Sequence, residues 1–280
     1  MSYRLEKDSL GQVQVPAEMY YGVQTQRAVE NFPVSGRTLP PEMTWSTAMI
    51  KKAAAMAHAD LGLLDSKVAG AIASAADRVL SGEMDSHFVV DVYQAGAGTS
   101  YHMNVNEVIA NLAEEALGGK RGEYRLVNPN DQVNMGQSTN DVVPTSIRLA
   151  CLKMAPPLVS AVGALSRAFE DRAKAFEGIV TTGRTHLQDA VPVKLRQEFG
   201  GYAHTLAKAE KQLRSTFNRA GVLGIGGSAA GTGLNTHPEY VPRMIATLRE
   251  LTGFDLSADP DLFAARSEER RVGKECRSRR

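Results

Sequence analysis

Cysteine is nearly missing from this chain of 280 residues. The two present, Cys151 and Cys276, are too few for a disulfide framework and lack the spacing of a metal knuckle, so both are expected to be free thiols. Long apolar runs are missing as well. No stretch approaches the roughly 18 uninterrupted apolar residues that span a bilayer, and Met1–Asp8 lacks the apolar core of a secretory signal. The expectation is a cytoplasmic protein with no membrane partner. An excess of charge is also absent: 32 basic and 31 acidic side chains nearly cancel, leaving no field to gather nucleic acid. Aromatics are scarce, at 6%. What remains, 43% hydrophobic and 22% charged residues, is the balance of a globular protein with a sizeable core, and it favours small-molecule chemistry. The length suggests about two domains.

The first forty residues read as extended and loop structure, with alternation in Gln12-Val13-Gln14-Val15 and breaks at Pro16 and Pro40-Pro41. The apolar period then becomes helical. Helices are expected at 45–59, at 66–80 (through Val68, Ile72, Ala75, Ala76 and Val79) and at 104–117 (through Val105, Val108, Ile109, Leu112 and Ala116). Longer ones follow. One starts at an Asn140 or Asp141 cap and runs to about Ala175, with a kink at Pro156-Pro157; the others cover about 193–220 and 239–251. Long helices joined by short links imply a bundle, and no strand–helix alternation suits a parallel sheet.

Three segments at helix boundaries are rich in small polar residues. Gly96–Glu107 holds Thr99 and Ser100, whose hydroxyls either cap the next helix or hold a carboxylate; by itself the segment favours capping. Asn128–Asp141 carries more polar groups than one cap can use, and Ser138-Thr139-Asn140 is suited to receive a dicarboxylate, with Asp141 capping backbone N–H groups. Gly183–Ala190 places His186 among Thr, Arg, Gln and Asp, the only one of six histidines so surrounded, where its tautomer and basicity suit proton transfer. His58, His87, His204 and His237 read as ordinary solvated or hydrogen-bonded side chains, and none has metal-ligand spacing. The glycine-rich run 224–236 follows no strand and so reads as a tight turn lining a site, rather than a dinucleotide loop.

These segments carry the motifs GAGTSxxMNxNEVIAN at 96–111, NPNDxVNxxQSTND at 128–141, GRTHLQDAVP at 183–192 and GTGLNTHPEY at 231–240. Together with residues 4–32 they resemble the fumarase/aspartase superfamily, in order, over residues 4 to about 265. Ala97 and the pair Ser138-Thr139 look like the aspartate ammonia-lyase branch; class II fumarate hydratase is the alternative, and a non-catalytic helical fragment is the rival of another class. The resemblance implies a mainly α fold, with a small N-terminal domain at 1–138 and part of a long-helix bundle at 139–265, while the abrupt change to a basic composition without an apolar stripe marks 266–280 as an expected non-native tail. It also implies a homotetramer in the full-length form, no cofactor, no metal, and a small dicarboxylate or amino-acid substrate.

The reaction implied removes the Cβ proton of L-aspartate and expels ammonia, giving fumarate through a doubly negative intermediate that needs preorganised donors. Thr99, Ser100, Asn128, Asn130, Asp131, Ser138, Thr139, Asn140, Thr185 and His186 are the substrate-binding candidates, with Thr185 and His186 also the catalytic ones. The resemblance leaves His186 as either a binding residue or part of a proton relay. Four departures stand out: Tyr101-His102 in place of a small residue and asparagine, Asn128 in place of histidine, Arg196 in place of glycine, and no match in 236–280 to the family's GSSxMPxKxNP loop. That loop supplies the general-base serine. The chain is therefore expected to be an N-terminal portion with little activity of its own, and Arg196 is expected to disturb helix packing.

Overall fold

The structure, a computed structural model, describes residues 2–266; Cys276 and the basic run after Arg266 lie outside the described residues. In chain order the main elements are β1 (Tyr3–Asp8), β2 (Gly11–Pro16), α1 (Val23–Asn31), α2 (Pro41–Asp60), α3 (Ser66–Leu80), α4 (Thr99–Ala116), α5 (Thr139–Ala175), β3 (Val180–Thr185), β4 (Gln188–Lys194), α6 (Leu195–Ala220), β5 (Val222–Leu223), α7 (Tyr240–Thr252) and β6 (Ser257–Ala258). The fold is mainly α. The expected helices are present, and α3 matches its predicted bounds because Asp65 caps it, accepting from the N–H groups of Lys67 and Val68.

Two compact units form. The first takes Met1–Ala150 with the described residues from Gly221 onward; the second is Cys151–Ala220. This partition does not follow the division at 138/139, because the segment after α6 returns to bond with the start of α5, so that Arg148 donates to the carbonyl of Val222.

In the first unit, β1 and β2 pair antiparallel from Tyr3↔Pro16 to Asp8↔Gly11, which is the alternation seen at 12–15. The core lies where α2, α3 and α4 pack, through Ala48, Ala55, Ile72, Ala76, Val79, Val105, Ile109 and Leu112. Alanine on these stripes lets the helix axes approach closely. Helix α7 closes the far side of α2, with Tyr240 stacked on His58 at 4.6 Å between ring centroids and Trp45 near Phe254 at 6.3 Å. His58 is thus a buried stacking residue rather than a solvated one.

Two expectations are corrected here. The first forty residues are not all extended: α1 forms there although its polar sequence has little apolar period, because carboxylates from other elements satisfy its first turn. Gly22, Gln24 and Thr25 donate their N–H groups to Glu107 at 2.9–3.0 Å, and Val23 donates to Glu6 at 2.9 Å. Helix α4 also starts five residues earlier than the apolar pattern, at Thr99 rather than Asn104.

In the second unit, α5 continues and α6 packs on it through Phe169, Phe176, Phe199 and Tyr202, whose rings lie 5.0–5.9 Å apart. Helix α5 runs through Pro156-Pro157 unbroken; both prolines face solvent, where the lost N–H bonds are tolerated. By length and composition it is apolar enough to cross a membrane. Arg196 sits exposed at the start of α6 and pairs with Glu177 at 2.9 Å, so it disturbs no helix packing within this unit. The segment read as a plain helix approach is a hairpin: β3 and β4 pair antiparallel, with an irregularity between Thr182 and Arg184.

Candidate functional site

Two helix N-termini abut in the first unit. Gly98, the residue before α4, has φ +93° and lies against Val143 in the first turn of α5; a Cβ there would come within 3.2 Å of both valine methyls. Glycine therefore serves the turn and the close approach at once. The residue before α4 is a glycine with no side chain to cap it, and the capping expected of Thr99, Ser100 or Asn104 is not found. Thr99 is exposed and Ser100 half-buried at the opening of the helix, while Asn104 bonds instead to Val89 and His87. The first-turn N–H of Tyr101 donates to Gln94 at 2.6 Å.

At the start of α5, Asp141 is buried and its carboxylate accepts from the N–H groups of Ser138 (2.9 Å), Gly226 (3.0 Å) and Ser228 (3.1 Å). One acidic side chain thus caps its own helix and anchors the glycine-rich run, which follows the two-residue strand β5 and not, as expected, a strandless segment. Asn140 donates to the carbonyl of Ala229 at 2.9 Å, and Ser138 Oγ accepts from the N–H of Asn140 at 3.2 Å. Ser138, Thr139 and Asn140 are brought beside this turn, and α4 brings Thr99 to the same abutting helix ends. Anions are stabilised at such ends by free N–H groups and the helix dipole.

The interior behind Thr139 holds a polar cluster that sequence reasoning did not assign. Lys51 of α2 is fully buried, and its Nζ lies 2.7 Å from His102 Nε2, 2.8 Å from Asn134 Oδ1 and 2.8 Å from Gln137 Oε1. His102 Nδ1 lies 2.9 Å from Thr139 Oγ1. Burial pushes the Lys51 ammonium well below the usual lysine range, partly offset by the charge of Asp141. Burial, reinforced by Lys51, pushes His102 well below the usual imidazole range, which makes it a neutral ring. The histidine held in a polar network within this unit is thus His102, not His186. Its signal was present as a departure at position 102, but Lys51 sits in an ordinary helical stripe and gave none.

The remaining candidates fall elsewhere. Asn128 accepts through Oδ1 from the N–H groups of Asn130 (2.8 Å) and Asp131 (3.3 Å), shaping the turn 129–133, and the side chains of Asn130 and Asp131 are exposed. Thr185 and His186 belong to the second unit, at the end of β3 and the tip of the hairpin. His186 and Leu187 both adopt positive φ, at 49° and 62°, in a tight two-residue turn that displays them to solvent. Arg184 and Asp189 pair across the hairpin beside its tip at 3.2 Å.

The sequence pattern of a lyase family matches residues 11–273. The chain is 48% identical to a class II fumarate hydratase of Halobacterium salinarum, over 95% of this chain and 56% of that protein. It is 44% identical to an aspartate ammonia-lyase of Bacillus subtilis, over 91% of this chain and 54% of that one. The crystal structure of a class II fumarase from Schistosoma mansoni superposes with a TM-score of 0.89 at 35% identity, covering 94% of this chain and 59% of the other. The chain therefore spans a little over half the length of these relatives. With four motifs in order, the abutting helix ends they build and a family match over nearly its whole length, the chain belongs to the fumarase/aspartase superfamily of lyases.

Proposed function

We infer that this chain carries the carboxylate-binding part of an enzyme that eliminates ammonia from L-aspartate to give fumarate. The observation that supports this is the pair of abutting helix N-termini, where Thr99, Ser138 and Thr139 carry hydroxyls at the positive ends of two helix dipoles and Asp141 is turned away into backbone bonds. A diacid and its doubly negative intermediate gain several kcal/mol from donors fixed in this way. Thr185 and His186 complete the site as binding and proton-handling residues, supplied by the hairpin of another copy in a homotetramer. Ala97 and Thr139 favour ammonia as leaving group. The second reading, hydration of fumarate, is favoured by the 48% identity to a fumarate hydratase.

Residues 236–280 contain no segment matching the family's serine loop, so the reading for this chain by itself is carboxylate binding with little or no turnover. Calorimetric titration with L-aspartate, L-malate and fumarate, paired with ultraviolet detection of fumarate formation, tests this. The expected result is binding of L-aspartate in preference to L-malate, with no measurable turnover. Preference for L-malate moves the assignment to the hydratase, and turnover at a typical enzymatic rate of roughly 1–1000 per second would overturn the inert receptor.

A further inference from the structure

The cluster Lys51–His102–Thr139 constrains where protons sit, and the surrounding amides fix the first part of the assignment. Asn134 Nδ2 donates to the carbonyl of Gln137 at 3.3 Å, and Gln137 Nε2 donates to the carbonyls of Val133 and Met135 at 3.2 Å. Carbonyls only accept, so the amide nitrogens must face them and the amide oxygens must face Lys51. Two of the three Lys51 protons are therefore directed at Asn134 Oδ1 and Gln137 Oε1. The third nitrogen contact is His102 Nε2. With Lys51 charged, the ammonium has three donors and no acceptor, so Nε2 is bare. A neutral imidazole then carries its single proton on Nδ1, which donates to Thr139 Oγ1. The threonine oxygen is an acceptor on that side, and its own hydrogen is directed away from the ring.

We propose that Lys51 and His102 are positioning residues that set the polarity of the Thr139 hydroxyl, holding it as a donor for a bound carboxylate. The ligand half of this rests on the dicarboxylate receptor described above; the tautomer half does not. A neutral Lys51 would reverse the chain: Nε2–H would donate to Nζ, Nδ1 would accept from Thr139, and the hydroxyl hydrogen would be withdrawn from the ligand. The charge on Lys51 therefore decides the direction: burial works against that charge, and the carboxylate of Asp141 partly offsets it.

The test uses the full chain labelled with 15N-histidine. Long-range proton–nitrogen correlation spectra distinguish bare from protonated ring nitrogens, and the signals of His102 are identified by their loss in His102→Asn. The expected spectrum near neutral pH shows Nε2 bare and Nδ1 protonated, with the pattern retained in Thr139→Ser and lost in Lys51→Met. An Nε2–H tautomer or an imidazolium in the parent protein overturns the proposal, whether or not either variant folds. Fumarate is then added as probe. Binding weakened roughly tenfold to a hundredfold in Thr139→Val and rescued in Thr139→Ser supports the donor role. Thr139→Val binding as tightly as the parent overturns it. If the parent binds no fumarate, the dicarboxylate receptor fails for this chain, and the tautomer spectrum still decides the Lys51–His102 arrangement.

Discussion

Asp91 shows how much a single carboxylate can organise. It accepts from the N–H groups of Ser35 (2.7 Å), Gly36 (2.7 Å) and Tyr93 (2.8 Å) and from the Ser35 hydroxyl, which ties residues 35–38 to the approach to α4. Those bonds, the Tyr93 N–H first, hold its carboxyl down to about 2 from an ordinary 3.8. A depressed folded value means stabilisation that is complete above the unfolded pKa and is lost as pH falls through the folded one. The urea midpoint of the parent protein is therefore expected to exceed that of Asp91→Asn by a constant margin down to about pH 4, the gap closing toward pH 2. A margin independent of pH would contradict this. At the same scale, Gly98→Ala adds a Cβ at positive φ that meets Val143, with an expected loss of about 1–3 kcal/mol in thermal unfolding. The candidate site was only partly legible at this scale. Ser138-Thr139-Asn140 announced itself through polar density at a helix start, whereas Lys51 and His102 acquire their meaning from a partner fifty-one residues away in sequence.

Among the elements, α1 is the instructive case. Its residues carry no strong apolar stripe, and what makes it a helix is Glu107, about two turns inside α4, whose carboxylate satisfies three N–H groups at its start. Burial raises this carboxyl to about 7 while the three donors favour its ionised form. Glu107→Ala is expected to leave those donors unpaired and to lower stability by about 2–4 kcal/mol in urea unfolding, with Glu107→Gln losing less. Equal stability of Glu107→Ala and the parent would show that α1 stands on its own sequence. Helices whose period lay in their own residues, α3 above all, were legible. Those set by tertiary partners were not: α1 was missed, and the first turn of α4 was read as a polar loop. The hairpin β3–β4 was hidden for a related reason, since its tip is His186-Leu187 rather than a glycine pair that marks such turns.

For the whole molecule, the uncovered apolar surface matters most. Ile147, Met154, Leu158 and Leu165 of α5 are each about half exposed, at 49, 52, 48 and 49%. A stripe of that kind calls for a partner helix. Light scattering on the purified chain at micromolar concentration is expected to show association, as a tetramer or larger species; a monomer over the whole range would contradict the proposed homotetramer. The crossing point between Arg148 and Val222 carries a different implication. The polypeptide leaves the first unit and comes back to it at neighbouring positions, so the seventy-residue excursion from 151 to 220 is topologically an insert. Excising it and splicing Ala150 to Gly221 through a few glycines and serines would give a miniature that retains the Lys51–His102–Thr139 cluster on an unbroken scaffold.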